Sequence, residues 1–216
     1  MNEIAVELSG EEVLLSSDRA LYWPRERKLF VADAHFGKAA AFRARGVPVP
    51  HGTTEDNFAR LDTLLVRFTP RALVFLGDFL HARESRGERM TAALSAWRAR
   101  HPLLDVLLIR GNHDARAGDP PAELRFVTLN APHVEGPFEY CHHSGERERG
   151  YGIVGHLHPS FVLQGRARQS VRLPCFWMRK THVVLPAFGA FTGTMAIERE
   201  SGDRVFLAAR ERIFEA

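Results

Sequence analysis

The chain has 216 residues, 45% of them hydrophobic, with a formal net charge of +3 and a pI near 9.2; it is read as one domain over 1–216 with a full core, which excludes a disordered chain. No apolar run is long enough to span a bilayer, the acidic start "MNEIAVELSGEE" lacks a charged-then-apolar leader, and two cysteines, Cys141 and Cys175, make no disulfide framework, so the expected location is the cytoplasm. The mild positive charge permits a nucleic-acid partner without requiring one.

In chain order, "RKLFVADAH" (27–35) reads as a buried strand that ends in polar residues. "TTEDNFARLDTLLVRF" (53–68) reads as a helix opened by threonine caps and early acids, with Phe58, Leu61, Leu64, Leu65 and Phe68 on one face. "RALVFLGDFLH" (71–81) reads as a strand closed by a glycine. Residues 88–100 read as a second helix with Met90, Leu94 and Trp97 on one side. "LLDVLLIRGNHD" (103–114) reads as a third strand with a glycine turn. Strand, helix, strand, helix, strand is the rhythm of an α/β domain with a parallel sheet. The second half is rich in Gly and Pro, with short β-prone runs near 124–129, 136–141, 151–154, 160–164, 170–174, 182–185 and 194–198. These read as antiparallel hairpins.

Each early strand ends in a polar cluster: Asp33 with His35, Asp78 with His81, and Asn112 with His113 and Asp114. Ligands of open α/β sheets bind outside the carboxyl ends of the strands, so these clusters should converge. In an extended "DAH" segment Asp33 and His35 share a face; a surface aspartate beside a satisfied histidine is the plain alternative. Asp78 has two oxygens and can bridge two ions, or it can simply cap a helix. Asn112 offers a neutral oxygen, His113 can face substrate, and Asp114 can hold the His113 ring. "YCHHS" presents His142 and His143, of which at most one easily joins the site, because strand neighbours face opposite ways. "GHLHP" presents His156 and His158 at i, i+2 spacing. This mixture of oxygen and nitrogen donors suits Mn, Fe or Zn better than Ca or Mg.

In that order the motifs "DAH", "GDFLH", "GNHD", the histidine of "CHH" and "GHLH" resemble the signature of the calcineurin-like metallophosphoesterase superfamily. "RLPCFWM" and "LPAFGAFTG" extend the resemblance to the ligase-associated DNA-damage-response endonucleases of bacteria. The resemblance implies an α/β fold of four layers, α/β/β/α, in which a double β-sandwich is flanked by helices. It implies two divalent metal ions, manganese first, with iron or zinc also fitting. One would be held by Asp33, His35, Asp78 and His158, the other by Asp78, Asn112, His142 and His156. His113, helped by Asp114, would stabilise charge in the transition state, and His81 would engage the phosphate. The implied activity is hydrolysis of phosphodiester bonds in single-stranded DNA in a repair context, beside an ATP-dependent DNA ligase and a helicase; a phosphodiesterase for small nucleotides is the alternative.

Basic and aromatic residues near these motifs are candidate substrate contacts. Lys38, Arg43 and Arg45 lie in an open, Gly/Pro-bearing segment, and Arg83 and Arg86 follow His81. Arg110 precedes "GNHD", and Arg166, Arg168 and Arg172 approach "LPCFW". Arginine and lysine would hold phosphates. Phe176, Trp177, Phe188 and Phe191 would stack on unpaired bases, or else belong to the core.

Overall fold

The computed structural model describes residues 1–44, 46–49, 52–165 and 169–216. The first sheet begins with an antiparallel run that the hydrophobic pattern did not reveal. Strands β1 (Glu3–Leu8), β2 (Glu11–Ser16) and β3 (Ala20–Trp23) pair in sequence and then with β4 (Lys28–Ala32). From β4 the sheet continues in parallel through β5 (Ala72–Leu76), β6 (Asp105–Ile109) and β7 (Val127–Leu129). β5 is buried along its whole length and β4 nearly so, as expected for parallel strands covered on both faces.

Helices α1 (Lys38–Ala44), α2 (Thr53–Phe68), α3 (Glu88–Arg100) and α4 (Asn112–Ala117) are the crossovers and returns of this sheet. Phe58, Leu61, Leu64, Leu65 and Phe68 of α2, with Leu94 and Trp97 of α3, bury against Leu73, Phe75, Val106 and Leu108. Each such side chain contributes roughly 1.5–3 kcal/mol on leaving water. The expected threonine cap of α2 is not formed: its N-cap is Gly52, in a left-handed conformation without a side-chain bond. The segment after His35 is helical in α1 rather than open.

The second sheet holds β8 (His133–Glu135), β9 (Phe138–Cys141), β10 (Tyr151–Val154), β11 (Pro159–Gln164), β12 (Ser170–Met178), β13 (His182–Val184), β14 (Met195–Ala196), β15 (Arg204–Ala209) and β16 (Arg212–Glu215). It is mixed, not a set of antiparallel hairpins. β10 runs parallel to both β9 and β13, while β12 is antiparallel to β11, β13 and β15. Parallel pairing needs a crossover, which here is made by the loop 142–150 and by β11 and β12. The sheets face each other over one core that includes Leu15, Trp23, Phe30, Phe138, Tyr140, Phe176 and Phe206. The outer face of the second sheet carries Cys141, Val154, Cys175, Trp177, Val184 and Leu207, with Ile197 from the segment after β14. The result is an α/β sandwich of two mixed sheets with few helices, as the resemblance implied. No helix among the described residues is long and apolar enough to cross a membrane.

Both sheets present the same edge to the site. The strands stop sooner than the apolar runs suggested, because the chain turns left-handed at Asp33 (φ 53), His35 (φ 46) and Asp78 (φ 47). Ala32 and Ala187 form a parallel bridge that joins the sheets there.

Candidate metal centre

Asp33 follows β4 and is fully buried. Its Oδ2 accepts from the His156 backbone N–H at 2.9 Å. Its Oδ1 is buried without a hydrogen-bond partner and lies 3.5 Å from His158 Nε2. His35 reaches the same place by a different route from the one spacing implied: the segment is not extended, and two left-handed residues turn both side chains inward. Its Nε2 is 3.7 Å from Asp78 Oδ2, and its Nδ1 is buried without a partner. Burial, aided by the nearby charges of Lys38 and His158, lowers the His35 pKa to about 2, so the ring is neutral and competent as a ligand.

Asp78 stands between two groups of donors. Its Oδ2 faces His35, while its Oδ1 is 3.5 Å from His142 Nε2 and accepts from the His113 backbone N–H at 2.9 Å. That bond satisfies an N–H in the first turn of α4, so the capping role and the bridging position belong to one carboxylate. His142 Nδ1 is 3.1 Å from the carbonyl of Leu76, to which only a ring N–H can donate. Its Nε2 is therefore bare, yet it lies 3.0 Å from Asn112 Oδ1 and 3.0 Å from His156 Nδ1. His158 Nδ1 is similarly held 3.0 Å from the carbonyl of Gly193, which leaves Nε2 toward Asp33. At His142 Nε2 a second ring nitrogen and an amide oxygen converge on one point, and His158 Nε2 converges with the Asp33 carboxylate, as donors about a cation do. Together with the two orphaned atoms of Asp33 and His35, they show that these residues suit a pair of divalent ions.

Two donor clusters hold an aspartate, Asp33 with His35 and His158, and Asp78 with His142 and His156; within each, the candidate ligand atoms lie within 4.8 Å of one another, and His35 meets the same limit with His81 and His113. Asn112 joins the second through its 3.0 Å approach to His142. His156 and His158 thus part company although their backbones are both left-handed, at φ 73 and 49. Gly155 makes room for this: a Cβ there would lie 2.9 Å from Asp33 Oδ2 and from the Leu76 carbonyl. His143 is exposed and caps the next turn, its Nδ1 accepting from the Gly145 N–H at 3.0 Å.

His113 and His81 border the first cluster, with ring centroids 5.1 Å apart and nearly parallel. His113 Nδ1 lies 2.7 Å from the His81 carbonyl, which turns Nε2 to within 3.9 Å of Asp78 Oδ2. The expected support from Asp114 takes another form. Its Oδ1 accepts from the N–H groups of Phe79 and Leu80 at 3.0 and 3.3 Å, and its Oδ2 from that of Gly111 at 2.9 Å. It ties the Asp78 turn to α4 and does not touch the His113 ring. Burial outweighs these donors and raises its pKa to about 6.

The candidate substrate contacts separate. Lys38 opens α1 close enough to Asp33 and Asp78 to feel both charges, although burial dominates and lowers its pKa. Arg110 lines a hollow with Asn112, His142, His143 and His156, but its guanidinium is spread over Asp119 at 2.8 and 2.7 Å and Asn130 at 2.7 Å. Arg172 is exposed on β12 opposite Val162 and enters neither donor cluster. Trp177 is corrected: it is 8% exposed in the outer core and its indole N–H donates to Asp203 at 2.7 Å, so it presents no face for a base. Phe176 and Phe188 are fully buried as well. The side chain of Arg83, and residues Arg45, Arg166 and Arg168, lie outside the described residues.

Residues that sequence reasoning passed over hold the centre in shape. Asn57 of α2 donates to the Ala34 carbonyl at 3.4 Å and accepts from the Ala190 N–H at 2.9 Å. Arg60 donates to the Phe188 carbonyl and lies 4.1 Å over its ring. The Gly189 N–H donates to the Asp33 carbonyl at 3.1 Å. The motif "LPAFGAFTG" was the available signal, but nothing in it named α2 as its partner.

A double sandwich whose carboxyl edge gathers two donor clusters about a shared aspartate defines a class of metal-dependent phosphoesterases. The calcineurin-like phosphoesterase family model matches residues 27–176, and the chain belongs to that family. It is similar in sequence and structure to nuclease MPE of Pseudomonas putida, with 43% identity, 100% of each chain covered and a TM-score of 0.88. Yfce, a phosphoesterase from E. coli, is 12% identical over 88% of this chain and 97% of its own, with a TM-score of 0.42; that likeness is too weak to carry an argument. No curated protein matches the chain significantly.

Proposed function

We propose that this phosphoesterase is a manganese-dependent endonuclease that hydrolyses phosphodiester bonds of single-stranded DNA. The observation that carries this reading is the full-length likeness to a nuclease, at 43% identity, in a chain whose two donor clusters flank Asp78. Two divalent cations supply positive charge and a water of lowered pKa to such a reaction. The chain's own residues then position and neutralise. His113, its Nδ1–H given to the His81 carbonyl, turns Nε2 toward the centre, and from there the doubly protonated ring would donate to a phosphoryl oxygen. Lys38 adds positive charge beside the same two carboxylates. Asp114 keeps the Asp78 turn and the α4 N-terminus in register. Among the described residues no serine or cysteine is set up as a nucleophile; Cys141 and Cys175 are buried, and burial raises both pKa values to about 12. Functional association with an ATP-dependent DNA ligase and a helicase is part of the same proposal.

The test is purified protein with Mn²⁺ on circular single-stranded DNA. Linearised and then fragmented circles are the expected result. Intact circles beside good turnover of a small phosphodiester would replace this reading with that of a small-nucleotide phosphodiesterase.

A further inference from the structure

A second cavity opens at the carboxyl edge, apart from the donor clusters. It has a volume of about 290 Å³ and is lined by Ser17, Asp18, Arg19, Arg60, Arg210 and Glu211, with Ala208. Its position follows from strand directions. β3 is antiparallel to β4 and pairs Leu21 with Phe30, so the turn that precedes β3, residues 17–19, sits beside the end of β4, where Asp33 begins. β10 and β13 are parallel, and β12 is antiparallel to both β13 and β15. β15 therefore ends at the same edge as β10, whose end leads to His156. The cavity lies between these two turns and α2.

Guanidinium groups outnumber carboxylates on its wall. Three guanidinium groups border it. Arg19 donates to the Ala187 carbonyl at 3.2 Å, and Arg60 to Phe188 and Asn57. Arg210 is exposed and has no partner among the described residues. Of the two carboxylates, Asp18 is already engaged by Arg67 at 3.0 Å, which leaves Glu211 at the exposed rim. Ser17, 4% exposed, has a hydroxyl without a hydrogen-bond partner, and Arg60 Nε is likewise unpartnered. Arg19 and Arg210 hold left-handed φ values of 64 and 43 in their turns, a conformation uncommon for residues other than glycine. Burial, and then repulsion from Arg19, lowers the Arg60 pKa to about 10. Crowded guanidinium groups with unmet donors at a cavity wall suit an oxyanion.

We infer that Ser17, Arg19, Arg60 and Arg210 form a phosphate subsite separate from the metal centre. On the proposed function, its occupant is another backbone phosphate of the strand being cut. The 186–190 loop, which Arg19 and Arg60 hold from one side and whose Gly189 bonds Asp33 on the other, lies between subsite and centre.

The test compares the Mn-loaded full chain with Arg210→Glu and Arg210→Lys on two substrates: a single-stranded oligonucleotide, and bis(4-nitrophenyl) phosphate, which carries one phosphate only. The ratio of kcat/KM for the first to the second should fall about tenfold in Arg210→Glu, through KM, and recover in Arg210→Lys; the salt dependence of oligonucleotide binding should flatten by about 0.7 in log–log slope for one lost contact. In parallel, inorganic phosphate is titrated into the zinc-loaded protein, and the amide resonances of residues 17–19 and 208–211 are followed by NMR. Shifts there, absent in Arg210→Glu, place a phosphate group in the cavity. If they occur while the ratio is unaltered, the occupant is free phosphate and the subsite stands. If the wild type leaves DNA uncut, the nuclease reading fails, and the phosphate titration alone decides the subsite. An unaltered ratio, or uncut DNA, with no shift at those amides overturns the inference.

Discussion

His142 Nε2 lies 3.0 Å from His156 Nδ1, although 13 residues separate the two in the chain and each ring comes from the end of a different strand. A neutral His156 ring can donate its N–H to the bare His142 Nε2 at that distance, and the same two nitrogens can instead share a cation, which the orphaned Asp33 Oδ1 and His35 Nδ1 nearby also call for. Chelation should therefore lower the melting temperature, and Mn²⁺ should restore it. Binding at about 100 times the dissociation constant adds about 2.7 kcal/mol, on the order of 5–10 °C for a domain of this size. Differential scanning fluorimetry with and without chelator checks this; identical melting curves would exclude a folded-state metal site.

Asp78 and His113 should separate by function. Asp78 faces both donor clusters and also caps α4, so Asp78→Ala should lose bound metal and turnover together. His113→Ala removes a ring that borders the centre, and should retain metal while kcat falls by roughly 10²–10⁴. Metal content by elemental analysis beside steady-state kinetics reads both. Metal-free His113→Ala protein would show that the ring is a ligand instead.

Asn57→Ala should loosen the centre without touching it. The amide side chain joins Ala34, between Asp33 and His35, to Ala190. Removing it leaves the buried Ala34 carbonyl unpaired, at a cost of about 1–3 kcal/mol. The expected signature is weaker Mn²⁺ binding, with kcat largely regained at saturating metal. A variant that melts early yet binds metal as tightly as the wild type would limit Asn57 to a structural part.

Glu139 carries the clearest pH signature outside the centre. It is 2% exposed and accepts from the N–H groups of Glu148, Arg149 and Gly150 at 2.8, 2.8 and 2.6 Å. Burial pushes its pKa up, but these donors outweigh burial and hold it below its ordinary value. Its contribution is then present above the unfolded-state pKa and is lost as pH falls through the lowered folded-state value. Glu139→Gln should cost about 1–3 kcal/mol near neutrality, and the gap to the wild type should narrow in acid. Denaturant midpoints at neutral and acidic pH measure it; a gap that widens in acid contradicts the assignment.

Gly77→Ala should abolish the second donor cluster. Gly77 has φ +74, and a Cβ there would stand 2.1 Å from His142 Nδ1, where the ring is pinned to Leu76. Strain and overpacking together are worth roughly 2–6 kcal/mol. Metal stoichiometry should drop by half or the protein should fail to fold, and full occupancy at wild-type stability would refute this.

By itself the sequence named the donor side chains that the fold gathers at one edge, and the order in which they arrive. Asp33, His35, Asp78, Asn112, His142, His156 and His158 were legible because donor chemistry belongs to side-chain type, and a sheet delivers its strand ends to one edge. The helices 53–68 and 88–100 were legible for a similar reason: a one-sided apolar face repeats at helical spacing. What only the tertiary structure decided was direction and support. The left-handed turns at Asp33, His35, His156 and His158 depend on what packs around them, so an extended spacing argument brought the right residues together by the wrong geometry. Trp177 is aromatic and follows a basic stretch, but burial against β13 and β15 decides its role. Asp114 looked like a partner of its neighbour His113, yet its Oδ1 bonds amides more than thirty residues upstream and its Oδ2 bonds Gly111. Parallel pairing in the second sheet, the hold of Asn57 on Ala34, and the meeting of Arg19, Arg60 and Arg210 all join segments far apart in the chain. Local pattern carries no signal for such contacts, because their energy exists only after the two sheets have closed.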